Sequence, residues 1–261
     1  MKKFNLKNLI LLPAAIALVG AAVEAKADTT SRYELNVNDF TQLVVDGVNV
    51  DYKSSNDSAG IAVFYADKNA ASQIIFENNN KGKLKIQTSF QDQDTATTSL
   101  PVITVYSRFL KDVTNNSDST VRVLAPRPTM ELKASTIGNG RIVLRDIESS
   151  KFSGSIKTGN GTIVVTGSCE SAVLSNTGTG SIQADELKAQ NVSARFFGTG
   201  TTGCWATDVL TVKGVMAGKL YYRDKPAKIR NYSAGVKIYS LEGTEWTGNT
   251  TDNDGNDNSK E

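Results

Sequence analysis

From residue 48 the chain alternates, with Val48, Val50 and Tyr52 apolar and Asn49 and Asp51 polar. A period of two sends successive side chains to opposite faces, the mark of a strand buried on one side. Residues 61–65, 74–76, 84–86 and 102–105 read as further strands. Polar turns at 54–58 and 78–82 and a Thr-rich loop at 91–99 punctuate them. Helical periodicity is missing from residues 28–261, so crossovers between strands fall to turns.

The second half of the chain repeats. Gly-x-Gly pairs stand at Gly138-Asn139-Gly140, Gly159-Asn160-Gly161, Gly178-Thr179-Gly180 and Gly198-Thr199-Gly200, with degenerate copies at Ala217-Gly218 and Ala234-Gly235. The second glycines of the intact pairs step by 21, 19 and 20 residues, and the later copies by 18 and 17. An earlier coil without glycines begins at Asn116-Ser117-Asp118. A fixed period in this range signals a solenoid, each repeat being one coil stacked on the next.

Counted from the second glycine, position two reads Ile142, Ile163, Ile182, Thr202, Leu220, and position four reads Leu144, Val165, Ala184, Cys204, Tyr222. Position three is mixed: Val143, Val164, Gln183, Gly203, Tyr221. The first two columns are expected to face inward and the third outward. A second strand per coil is expected at 173–174, 192–194 and 210–212. The glycines are expected to supply the sharp turn at φ > 0 before each strand. The predicted fold is all-β, a right-handed parallel β-helix with a strand-rich N-terminal part, the hand following the usual crossover preference.

Residues 1–27 read as a signal peptide. Lys2, Lys3 and Lys7 precede an apolar run from Leu9 to Val23, and Ala25-Lys26-Ala27 offers a cleavage site. That run is too short to span a bilayer, and no second apolar segment anchors residues 28–261. Export to the periplasm, cell surface or medium is expected. Residues 28–112 then form the non-repetitive strand-rich part and 113–243 the coils. Residues 244–261 form a polar, acidic tail, expected to be disordered.

Charge and composition narrow the chemistry. The sequence holds 29 basic and 27 acidic residues, of which residues 1–27 take four lysines and one glutamate. The remainder carries 25 against 26, a net charge of −1, which gives no electrostatic case for nucleic acid. The chain has no histidine, which removes imidazole bases, imidazole metal ligands and every Ser/His or Cys/His nucleophile system. With two cysteines besides, a structural zinc site lacks ligands. Cys169 lies eight residues past Gly161 and Cys204 four past Gly200, with a whole coil between them. Two coil steps separate strands by about 10 Å. A disulfide needs Cα atoms within about 7 Å. Two unpaired thiols are expected.

Several motifs dissolve on inspection. Gly198-Thr199-Gly200-Thr201-Thr202-Gly203 has the spacing of a dinucleotide fingerprint, but 204–212 is β-branched and aromatic rather than helical. Asp252 to Asp257 imitates a calcium loop, yet the closing glutamate would fall beyond Glu261. No cofactor and no metal is therefore expected. Asp185 and Glu186 face opposite ways on a strand, and Asp146, Glu148, Glu170, Asp208 and Asp224 sit at different offsets from their glycines. The acidic pair of a glycosidase is not expected. Aromatics gather late, at Phe196, Phe197, Trp205, Tyr221, Tyr222, Tyr232, Tyr239 and Trp246. Two readings stand: they cap the C-terminal end of the solenoid, or they form an exposed platform for sugar or protein.

The opening Asp39-Phe40 with Val48-Asn49-Val50, the Gly82-Lys83-Leu84-Lys85-Ile86 strand and the successive Gly-x-Gly coils together resemble the GIN domains, auto-transporter adhesin head domains common in secreted proteins of Bacteroidetes. The resemblance spans residues 38–243 and includes Tyr221-Tyr222-Arg223-Asp224-Lys225-Pro226, similar to the family's tyrosine-x-glycine-x-proline turn with Asp224 in place of glycine. It implies a right-handed β-helix with a cell-surface role and carries no catalytic residues. The expected function is an exported, non-catalytic binding or adhesion module that presents its surface to glycan or surface protein. Tyr221, Tyr239 and Trp246 are the candidate contacts. A carbohydrate-active β-helical enzyme and an envelope structural protein without a dedicated ligand are the alternatives.

Overall fold

The computed structural model describes residues 30–79, 81–89, 100–124 and 126–244. The expected signal peptide, the 91–99 loop and the tail from residue 245, Trp246 included, lie outside the described residues. Alternating burial divides the first part into β1 Ser31–Asn36, β2 Gln42–Asp46, β3 Asn49–Ser54, β4 Ile61–Ala66, β5 Ile74–Asn79, β6 Lys83–Thr88, β7 Val102–Ser107, β8 Asp112–Asn115 and β9 Thr120–Leu124. The repeats supply β10 Thr129–Ile137, β11 Arg141–Thr158, β12 Thr162–Asn176, β13 Ser181–Phe196 and β14 Thr201–Gly214. Shorter strands close the series: β15 Lys219–Tyr222, β16 Lys228–Ser233 and β17 Lys237–Ser240. A five-residue helix, α1 Lys68–Ser72, joins β4 to β5. It is too short to show a 3.6 period in sequence. The Asp67 carboxylate starts it, accepting from the N–H groups of Asn69 and Ala70 at 2.7 and 2.8 Å.

The strands build a β-solenoid whose inward columns are those read from the glycine offsets. Ile103, Val50, Val121, Ile142, Ile163, Ile182, Thr202, Leu220 and Ile238 stand in register across successive strands. All are within 2% of full burial. Each Ile or Leu so buried contributes about 1.5–3 kcal/mol. Leu144, Val165, Ala184, Cys204 and Tyr222 form the second buried column, while Val143, Val164, Gln183, Gly203 and Tyr221 point outward. The expected second strand of each coil is present as the far half of β11 to β14. Between the halves, residues 147–149, 167–169, 187–189 and 205–206 pair in register as a third side.

The N-terminal part belongs to the same stack, but out of order. β2 pairs in parallel with both β6 and β8, and β3 with both β7 and β9. The coil that comes first in sequence therefore lies between the coils made by β6–β7 and β8–β9. β4 and β5 then run antiparallel on β7 and β6, and β1 antiparallel on β4. Phe64 stacks on Tyr33 at 5.1 Å and on Phe76 at 6.0 Å, which gathers aromatic rings at the N-terminal end. At the other end β16 and β17 pair with β14 and β15, and the described residues place no further strand on them.

The glycines recur only in part for the expected reason. Gly138 and Gly159 do take positive φ, 97° and 81°, but the second glycine of every intact pair does not. Close approach explains those positions. A Cβ on Gly180 would stand 2.0 Å from the Gly161 carbonyl oxygen, and one on Gly140 2.0 Å from that of Ser117. Successive turns pass too near each other for any side chain.

Candidate ligand-binding face

The outward column of the last coils runs Gln183, Gly203, Tyr221, Tyr239, held in register by β13, β14, β15 and β17. Parallel pairing fixes the tyrosines one coil apart, and their rings stack at 5.4 Å between centroids and 23° between planes. Both are half-buried on the side of the solenoid. Of the other late aromatics, Phe196 and Tyr222 are buried inside, whereas Phe197 and Tyr232 are exposed. Tyr239 belongs to β17, the last described strand, and Tyr221 to β15, one coil before it.

Beside this column lies a charged cluster. The Trp205 ring carries Lys188 from the coil before, Nζ 5.4 Å from its centroid, and Arg223 from the coil after, Cζ at 5.5 Å. Arg223 also reaches Asp185, Nη2 to Oδ2 at 3.9 Å. Lys188 belongs in addition to an open groove of about 610 Å³ along the third side, lined by Glu148, Ser149, Cys169 and Glu170 among others. Glu148 and Glu170 thus line one groove, although they stand at different offsets from their glycines. The register shifts between Leu144 and Ile147, so equal distance from the glycines no longer means equal column.

Both cysteines are free, as expected, and they belong to different sides: Cys169 to the groove wall and Cys204 to the second inward column. Burial pushes their thiols up, to about 11 for Cys169 and about 12 for Cys204.

The sequence matches the family described as putative auto-transporter adhesin, head GIN domain, over residues 39–226, more than half of the chain. The chain belongs to the GIN-domain family. Among solved structures, a putative adhesin of Bacteroides fragilis superimposes with a TM-score of 0.71 at 19% identity, covering 82% of this chain and 98% of that one. A putative lipid binding protein of Parabacteroides distasonis gives 0.63 at 19%, covering 81% and 96%. A putative adhesin of Parabacteroides merdae gives 0.59 at 18%, covering 81% and 96%. At such identities these likenesses speak for the shared fold. No curated protein matches the sequence. Among the described residues no helix is long and apolar enough to cross a membrane.

Within this GIN domain, Asp224, at the place where the resemblance puts a turn glycine, takes the left-handed region at φ 46°. Aspartate tolerates the left-handed region better than most side chains. Gly203, Asp185 and Arg223 had no part in the sequence-level site. The available signal was Gly203 itself, a glycine off the turn period and at an outward strand position.

Proposed function

We propose that the domain is an exported, non-catalytic adhesion module whose C-terminal lateral face contacts a glycan or a surface protein. One observation supports it most: Tyr221 and Tyr239 are aligned on an outward column, although the inward columns already supply the solenoid with its core. Aromatic rings with a hydrogen-bonding tip, left half-open to solvent, are common anchors of binding surfaces. The solenoid interior is filled by stacked side chains, so contact falls to the surface.

The test is an array of glycans and surface proteins probed with the parent protein and with Tyr221→Ala, Tyr239→Ala and Trp246→Ala. The tyrosine variants are expected to lose binding at an unchanged melting temperature. Variants that bind as the parent does would overturn the assignment. A carbohydrate-active enzyme has one observation in its favour, the groove shared by Glu148 and Glu170. Release of reducing ends from any polysaccharide, abolished by Glu148→Gln or Glu170→Gln, would establish it over the adhesion reading.

A further inference from the structure

Gly203 is a glycine that the solenoid does not need. It occupies an interior position of β14, and its φ lies outside the left-handed region. Coil stacking does not demand it either. A Cβ there would meet first an Asp185 carboxylate oxygen, at 2.9 Å, and nothing else closer than 3.4 Å. That neighbour is the end of a side chain and can swing aside. At Gly140 and Gly180 the obstacle is backbone, which cannot. A glycine within a strand weakens the strand, and it commonly marks a place where something else approaches the backbone closely.

Its surroundings say what that could be. Gln183 and Tyr221 flank Gly203 in the column two coil steps apart, about 10 Å, and in the slot between them the missing side chain leaves room that only the side chain of Asp185 enters. Tyr221 packs one ring face on Tyr239, which turns the other face toward the slot. Asp185 leans over the slot floor, and Arg223 stands beside Asp185 at 3.9 Å. Trp205, held under Lys188 and Arg223, forms the adjoining wall.

The slot thus offers a flat aromatic face, a carboxylate that only accepts and a guanidinium that only donates. A pyranose ring presents the complement: a C–H face for the aromatic and neighbouring hydroxyls that both donate and accept. We propose that the slot over Gly203 is a subsite for one neutral pyranose ring of a glycan, stacked on the free face of Tyr221, with its hydroxyls shared between Asp185 and Arg223. Asp185 and Arg223 offset each other's charge there, which suits a ring that carries none. The proposal rests on the adhesion reading above and narrows it from glycan or protein to glycan.

The experiment titrates methyl pyranosides, neutral and uronic, into the full protein by saturation-transfer NMR and calorimetry, beside Gly203→Gln and Asp185→Asn. Gly203→Gln rebuilds in this coil the side chain that Gln183 shows in the previous one, and it removes no aromatic ring. Neutral pyranosides are expected to bind the parent protein. Gly203→Gln is expected to hold or raise the melting temperature and weaken them at least about tenfold. Asp185→Asn changes charge without shape and is expected to weaken them by a similar factor, which keeps the test open should Gly203→Gln fold poorly. Parent-like sugar binding by either folded variant overturns the subsite. So does binding of uronic pyranosides alone. If those results come with Tyr221→Ala still abolishing adhesion, the slot falls and the lateral face stands. If the array returns only proteins, the glycan assignment falls and adhesion stands.

Discussion

Asn115 and Asn176 occupy one inward column, three coils apart, and their side-chain amides donate to equivalent pairs of carbonyls. Asn115 Nδ2 reaches Ser119 O at 2.6 Å and Arg141 O at 3.3 Å. Asn176 Nδ2 reaches Gly180 O at 3.0 Å and Thr201 O at 3.3 Å. Each amide thus bridges its own turn to the first strand residue of the next coil. A Cβ on Gly140 or Gly200 would stand 2.4 Å from these amide nitrogens, so asparagine and glycine are selected together. Asn115→Leu and Asn176→Leu leave two carbonyls short of a donor, and urea unfolding is expected to show losses of about 1–3 kcal/mol each. The larger loss should belong to Asn115, whose Oδ1 also accepts from the Ser117 N–H and from the Ser119 hydroxyl.

Gly180→Ala and Gly203→Ala are expected to diverge. Both backbones lie outside the left-handed region, so conformational entropy alone favours alanine at either site. At Gly180 the new methyl meets the Gly161 carbonyl and the coils must part, a strain of about 1–3 kcal/mol or more. At Gly203 only Asp185 moves, and stability should stay within about 0.5 kcal/mol of the parent. Equal melting temperatures would show that the turns tolerate side chains after all.

Ile163→Asp and Ile182→Asp are expected to abolish cooperative unfolding, because each buries an unpaired carboxylate in a fully buried column at a cost of several kcal/mol. Val164→Asp sits between them in sequence but faces outward, half-buried, and should unfold cooperatively near the parent midpoint. Circular dichroism melts of the three variants decide the matter.

Alkaline pH should destabilise the domain through its thiols. The unfolded chain gives up a thiol proton near 9, while the folded chain holds the Cys204 proton to about 12 and the Cys169 proton to about 11. Below pH 9 both states keep these protons and stability is unaffected. Above it the unfolded state binds fewer, so stability falls as pH rises toward 12. Burial raises the Tyr52 hydroxyl as well and acts in the same direction. The urea midpoint is expected to drop across this window, and less steeply in Cys204→Ala. Identical slopes in the two proteins would refute the thiol contribution.

The sequence made the coil columns readable because each glycine pair resets the count, and Ile142, Ile163 and Ile182 fall two residues after it without exception. Where the register slips, the count fails. A shift between Leu144 and Ile147 hid that Glu148 and Glu170 line one groove, and one between Ala184 and Lys188 hid Asp185 beside Arg223. The glycines themselves were legible as landmarks but not as physics, since sequence does not distinguish a backbone that needs φ > 0 from one that lies too near its neighbour. The stacking of Tyr33 on Phe64 depends on antiparallel pairing of β1 with β4, and local pattern says nothing of which strands pair.

The coil of β2 and β3 has a further consequence, for how such a domain comes into being. Its two edges are completed by β6–β7 on one side and β8–β9 on the other, so it stays unfinished until the chain is available to Leu124. A growing chain cannot wind this solenoid from its first residue onward. The first three coils close out of sequence, and only the later coils follow one another in chain order. Lineages that lengthen or shorten the domain by whole repeats therefore have room to do so after β9, whereas a coil duplicated or lost before it would break the interleaving that starts the stack.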